Sequence, residues 1–287
     1  IKLIGCTGQA VEAGIIEVAT ESLKRFSSSD ATATNVLQLL YALSFEAAYR
    51  DRMIASGVIA PAVRAAKVSL LMRTEHAVVA LLERLVNEEL ITAAIRDVQH
   101  QASTVASQGI AENDDATRDA CALSLMTIEC YAKIPKCATM LLSLGTPMAV
   151  MKFFTATVRA RTEDLHGYQE SLLVSNCECL NAIAQSNKRN ACSCICNLAA
   201  GLISEVLKKF LEYPRALAEA AHVVKTLAAF SANVARLHAA STVKCLISAS
   251  KAQPSHALLQ MRVAKALQLL ATESESAEVI VRAGGAR

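Results

Sequence analysis

The stretch Asn35–Val63, NVLQLLYALSFEAAYRDRMIASGVIAPAV, decides the fold. Val36, Leu39, Leu40 and Leu43 recur at helical spacing and predict one apolar stripe. Met53 and Ile54 mark a second, shorter helix. Gly57 then breaks the chain, and Val58, Ile59 and Val63 open a third stripe. Glycine suits such a break because it adopts φ > 0 and lets one helix stop and the next leave at a sharp angle. Helices this short cannot bury their apolar faces alone, so neighbouring copies of the unit must complete the core.

Copies are present on both sides. The same punctuation stands at Gly14-Ile15-Ile16, Gly57-Val58-Ile59, Gly145-Thr146-Pro147-Met148, Gly201-Leu202-Ile203 and Gly284, with a weaker version at Ser241-Thr242-Val243. The intervals are 43 (14 to 57), 88 (57 to 145), 56 (145 to 201), 40 (201 to 241) and 43 (241 to 284). The 88 reads as two units of 44, the middle break near Gln99 lacking its glycine. The 56 reads as one unit plus an insertion of about 13 residues, placed at Arg161–Glu170, RTEDLHGYQE. The helix stripe realigns as well. Leu39, Leu40 and Leu43 correspond to Leu81, Leu82 and Leu85 at an offset of 42, and to Val223, Val224 and Leu227 at 184; Leu267 and Leu270 continue the series at 227.

Composition agrees with helices. Of 287 residues, 53% are hydrophobic; Gly (10) and Pro (5) are scarce, Trp is absent, and Tyr (5) and Phe (6) are few. Ala and Leu lose little on entering a helix, whereas a sheet protein would need more aromatic and β-branched residues. The net charge of +3, from 29 basic and 26 acidic residues, gives no field that would gather a polyanion. Lys188, Arg189, Lys208 and Lys209 make only small basic patches without interleaved aromatics, so no nucleic-acid partner is expected. The longest uncharged runs, Cys137–Met151 and Asn190–Ser204, are each 15 residues, and no membrane span is expected from them. No leader segment is visible. The ten cysteines lack a disulfide-scaffold spacing and read as free thiols in a reducing, cytoplasmic compartment.

A long helix ending in the small-residue stripe Tyr41–Ser44 (YALS), then a short helix, then Gly57 and two apolar residues, resembles the armadillo repeat, with three helices per unit. The HEAT repeat, with two, is the nearest rival; the Ala-Gly or Ser-Gly break before Ile or Val favours armadillo. The resemblance spans nearly the whole chain. It implies an all-α, right-handed α-solenoid of about six to seven armadillo-like repeats, a single domain over residues 1–287. Ile1 aligns with Ser44 and Arg287 follows a glycine break, so the sequence reads as a segment of a longer chain. The resemblance further implies a non-catalytic scaffold that binds other proteins through its concave groove and ridges, as a subunit of a large assembly. A cytoskeletal or ciliary assembly would be one home for it. A transport adaptor holding an extended peptide, or a regulatory domain of a larger enzyme, are the alternatives.

Armadillo import adaptors line the groove with Trp and Asn ladders. By resemblance those positions fall at Tyr41 and Phe45, Glu83 and Asn87, Lys225 and Ala229, Gln268 and Thr272, and, after a local shift, Asn181 and Gln185. Only Asn87 matches the Asn ladder and no Trp is present, which weighs against the adaptor. Tyr41 and Phe45 are the strongest expected anchors, because aromatics dominate interface energetics.

Other clusters read as structural. Cys177, Cys179, Cys192, Cys194 and Cys196 are spaced C-x-C, which on a helix points the thiols to different faces, unlike the C-x2-4-C of structural zinc. Cys192 and Cys196 do share a face. The six histidines are scattered without a paired motif. Glu112, Asp114, Asp115 and Asp119 read as a solvated start of a helix near Ala116, favoured by its dipole, or as a docking patch for a basic partner. No phosphate loop, nucleophile elbow or kinase motif occurs. No catalytic residue, metal ligand, cofactor or small-molecule substrate is assigned.

Overall fold

The computed structural model describes residues 4–68, 72–108, 115–160, 166–186 and 188–283, and the regular structure there is entirely helical. The chain opens with α1 (Ile4–Glu12), α2 (Ile15–Phe26) and α3 (Asp30–Leu43), followed by α4 (Ala47–Ala55), α5 (Ile59–Val68) and α6 (Met72–Leu85). Next come α7 (Glu88–Gln108) and α8 (Asp115–Ala132), then α9 (Cys137–Ser143), α10 (Thr146–Arg159) and α11 (His166–Ser186). Two helices follow, α12 (Lys188–Lys209) and α13 (Pro214–Ala228). A 3-10 turn (Ser231–Asn233) leads to α14 (Val234–Ala239), α15 (Thr242–Ala252), α16 (Ala257–Leu270) and α17 (Ser274–Arg282).

The breaks fall where the punctuation places them at four points. Gly14 (φ 91°), Gly57 (φ 73°), Gly145 (φ 75°) and Ser241 (φ 58°) occupy the left-handed region, each between a short helix and the next. Ser241 does this with a side chain, which makes it the costlier version of the same device. Gly201 departs from the pattern. It lies inside α12, which runs unbroken from Lys188 to Lys209. Its neighbours Ala199, Ala200, Ile203 and Val206 are buried, and that packing holds the helix through the glycine. Likewise α7 continues through Gln99, where the glycine was missing. Of the expected insertion, residues 166–170 form the first turns of α11, and 161–165 lie outside the described residues. The extra length of that interval is carried by two long helices, α11 of 21 residues and α12 of 22. Gly284 and the two chain ends also lie outside the described residues.

The long helices pack in series: α3 on α6, α6 on α8, α8 on α11, α11 on α13 and α13 on α16. A second series runs beside them, with α7 on α10, α10 on α12, α12 on α15 and α15 on α17. One continuous apolar core extends from Val11 to Ile280. Hydrogen bonds between helices recur at a similar sequence separation. Thr34 meets Thr74 at 2.8 Å, 40 residues apart; Ser204 meets Thr242 at 2.8 Å, 38 apart; Thr226 donates to Asn181 at 2.6 Å, 45 apart.

The stripe on α3 differs from the expected one at Leu39. Ala33, Leu37, Leu40 and Leu43 are buried, Val36 is half-buried and Leu39 is exposed. The aligned Leu81 and Val223 are fully buried. On α3 the packing partners are α6 and the shorter α2, whereas α6 and α13 each lie between two members of the long series. The stretch Asn190–Lys209 of α12 is long and apolar enough to cross a membrane by length and composition, more so than the 15-residue run implied. More than half of it is buried against neighbouring helices, chiefly α13 and α15, and that burial accounts for its composition.

Candidate functional site: a groove across the long helices

Four consecutive long helices, α8, α11, α13 and α16, wall a groove of about 480 Å³. Its lining sets charged and polar side chains among Ala132, Pro135 and Ala182: Glu129 and Lys133 from α8, Glu178, Asn181 and Gln185 from α11, Glu219 and His222 from α13, Arg262 from α16. Each helix contributes one polar strip because its other faces are consumed by the core, where Leu125, Ile128, Leu180, Ile183, Val223 and Val224 are fully buried.

The charges at one end form a closed network. Lys67 of α5 lies 2.9 Å from Glu129 and 2.6 Å from Glu178. Lys133 lies 2.7 Å from Glu129 and 2.7 Å from Glu75 of α6. The Glu129 side chain is only 7% exposed. Burial works to raise its pKa, but the ammonium groups of Lys67 and Lys133 outweigh it and hold the carboxyl below its ordinary value. Burial likewise opposes the charge on both lysines, and their carboxylate partners hold them above the ordinary lysine value. Glu178 is pushed the other way: burial, aided by the nearby Glu129 and Glu219, raises it despite Lys67. At the other end Arg262 pairs with Glu219, whose carboxylate also lies 3.7 Å from His222 Nδ1. Burial opposes ionisation of Glu219, and His222 and Arg262 overcome it, so its pKa is lowered.

The structure brings two of the expected positions into this groove. Asn181 accepts from Thr226 Oγ1 at 2.6 Å, and Gln185 stands exposed on the same wall. Lys225 is half-buried on α13, and Ala229 caps the C-terminus of that helix. Gln268 is exposed on α16. Thr272 donates to Leu269 O at 2.8 Å, closing the end of its own helix. Asn87 Oδ1 accepts from Leu90 N at 2.9 Å and caps the N-terminus of α7. Glu83 is exposed and its carbonyl accepts from Lys136 Nζ.

Tyr41 and Phe45 meet edge to face, ring centroids 5.4 Å apart at 79°. Phe45 is 58% exposed, and the guanidinium of Arg84 sits 4.4 Å from its ring centre. The groove residues that the ladder register missed are Glu129, Lys133, Glu178, Glu219, His222 and Arg262. Their one sequence signal is a charge set inside an apolar helical run, as in Thr127–Ile134, TIECYAKI.

The cysteines are spent on packing. Cys177 and Cys179 are both fully buried on opposite flanks of α11, and Cys192 and Cys196 donate to Ala184 O (3.2 Å) and Asn233 O (3.8 Å). Burial pushes the Cys192 and Cys196 thiols up to about 11, and Cys130 up to about 12. Among the described residues no group of three or more His, Cys, Asp or Glu is placed to hold a metal ion. Of the acidic run, Asp115 begins α8 and lies 3.2 Å from Arg118, and Asp119 pairs with Arg64 at 3.2 Å; Glu112 and Asp114 lie outside the described residues. No protein-family model matches this sequence, and no curated protein matches it.

Proposed function

We propose that this chain is a non-catalytic armadillo-like scaffold, a right-handed α-solenoid of about six to seven units that binds other proteins along the face formed by its long helices. The serial packing of α3, α6, α8, α11, α13 and α16 supports the solenoid reading, as do left-handed breaks at Gly14, Gly57, Gly145 and Ser241. The observation that carries the functional reading is the polar groove across α8, α11, α13 and α16. Its side chains are fixed by ion pairs on a buried core, so a partner segment would be ordered on a surface that is already ordered, and the entropy loss falls on one side only. The groove is mixed in charge, which favours a partner of alternating polarity over a simple polyelectrolyte. The nine cysteines whose side chains are described are free thiols, which suits a reducing, cytoplasmic setting.

Native co-purification from cells tests this. The account expects a stoichiometric protein partner that is lost when the groove wall is altered by Gln185→Glu with Ser186→Glu. Recovery of the chain alone, or a partner indifferent to those changes, would overturn the groove assignment.

A further inference from the structure

We infer that Tyr41, Phe45 and Arg84 form a seat for an acidic partner segment, one that presents a carboxylate beside a large apolar side chain. This rests on the protein-binding reading above and gives that surface a partner chemistry at its α3–α6 end.

Three observations converge. The first is a large apolar ring held outward. Phe45 is 58% exposed although it lies next to a continuous core. Its backbone is clamped in place: Arg50 Nη1 donates to Ser44 O at 2.9 Å and to Phe45 O at 3.2 Å, and Ser44 Oγ donates to Tyr41 O at 2.7 Å. Tyr41 braces the ring from the side at 5.4 Å. The second is Arg84. Its guanidinium lies 4.4 Å over the Phe45 ring, and its Nε is buried without a hydrogen-bond partner. The contact with the ring holds the guanidinium beside Phe45, and with Nε buried it is the pair of Nη groups that can donate two parallel hydrogen bonds to a carboxylate.

The third is charge. Among the described residues Arg50, Arg84 and Lys136 meet no carboxylate; Arg50 and Lys136 hold only backbone carbonyls. In the central groove the opposite holds, with Lys67, Lys133 and Arg262 all ion-paired. Beside the exposed Phe45 ring, Arg84 and Arg50 are thus both left without a carboxylate. A carboxylate complements Arg84, and an adjacent apolar side chain covers the Phe45 ring.

The test uses the full chain and a fluorescein-labelled peptide alternating Glu with Leu and Phe, against a counterpart with Lys in place of Glu, by fluorescence anisotropy. The acidic peptide should bind, and weaken as salt is raised. Arg84→Gln should weaken it roughly tenfold, and Phe45→Ala roughly fivefold. Lys209→Gln, far along α12, should leave it unchanged, and circular dichroism should show wild-type helicity in all variants. Equal binding of the basic peptide, or no effect of Arg84→Gln, overturns the seat. So does displacement of the acidic peptide by a single-stranded oligonucleotide that depends on Arg84, which would assign the surface to a polyphosphate. Native co-purification of the wild type separates the two readings. A retained partner with an Arg84-independent peptide sinks only the seat, whereas absence of any partner sinks the scaffold reading beneath it.

Discussion

Lys67 on α5 and Glu178 on α11 stand 111 residues apart in sequence and meet at 2.6 Å. Glu129 of α8 lies between them, 2.9 Å from the same ammonium. One lysine thus clips three helices, α5, α8 and α11, at the wall of the groove. The burial of Glu129 makes this cluster expensive to disturb: removing one partner of a buried pair leaves charge uncompensated in a poorly solvated place.

Glu129→Gln should therefore destabilise the fold by about 3 kcal/mol, with Lys67 and Lys133 each reduced to a single carboxylate. Because the folded pKa of Glu129 lies below its unfolded value, its contribution is present above the ordinary carboxylate range and is lost as pH falls through the depressed value. Glu178, whose pKa is raised, acts with the opposite sign, adding stability below its unfolded pKa that is lost as pH rises through the folded one. Melting temperatures recorded from neutral to acid pH should fall for the wild type below about pH 4 and fall less steeply for Glu129→Gln. Parallel acid limbs in the two proteins would remove Glu129 from this role.

Ser241 and Gly57 predict changes of opposite sign. Ser241 holds φ 58° with a side chain, so Ser241→Gly should stabilise by about 0.5 kcal/mol, the relief of strain being partly offset by the looser unfolded chain. Gly57 holds φ 73° with nothing within 4 Å of an added Cβ, so Gly57→Ala should destabilise by about 1 kcal/mol through backbone strain alone. Chemical denaturation measures both; a stabilised Gly57→Ala would contradict the geometry of the break.

The groove and the core should separate under mutation. Leu43→Asp places a charge at a buried position and should cost on the order of 4 kcal/mol or more, with loss of helicity. Tyr41→Ala combined with Phe45→Ala should leave melting nearly unchanged while weakening partner binding. Extensive unfolding of the double variant, read by circular dichroism, would place the aromatic pair in the core.

Thiol reactivity gives a map of burial. Cys194 is half-exposed, while Cys177 and Cys179 are fully buried with their pKa values driven well above the ordinary range by burial. Maleimide labelling of the native protein, read by peptide mass spectrometry, should modify Cys194 well before Cys177 or Cys179. Comparable rates at these sites would mean that α11 is not packed between α8 and α13.

Much of the architecture was legible because its punctuation is local chemistry. A left-handed residue between two helices is written as Gly or, at Ser241, as its weaker stand-in. Gly201 shows where that reading ends: a glycine inside a helix has the same letter, and only the packing of α12 on α13 and α15 holds it straight. On α3 the expected Leu40 and Leu43 are buried, but Leu39 is exposed and Leu37 takes its place in the core, because both satisfy helical spacing. Asn181 and Gln185 line the groove, whereas the cap that Asn87 makes on Leu90 N could not be read from its letter alone. The Lys67–Glu129–Glu178 cluster was invisible in sequence, since its members are related only through the stacking of α5, α8 and α11.

The central claim is that proteins bind along the long-helix face. Crosslinking mass spectrometry on the natively purified complex, with a lysine-reactive linker, tests it most directly. The account predicts partner crosslinks from Lys133, Lys136 and Lys225. Crosslinks confined to Lys209, Lys244 and Lys251 on α12 and α15, or a chain that purifies without a stoichiometric partner, would contradict it.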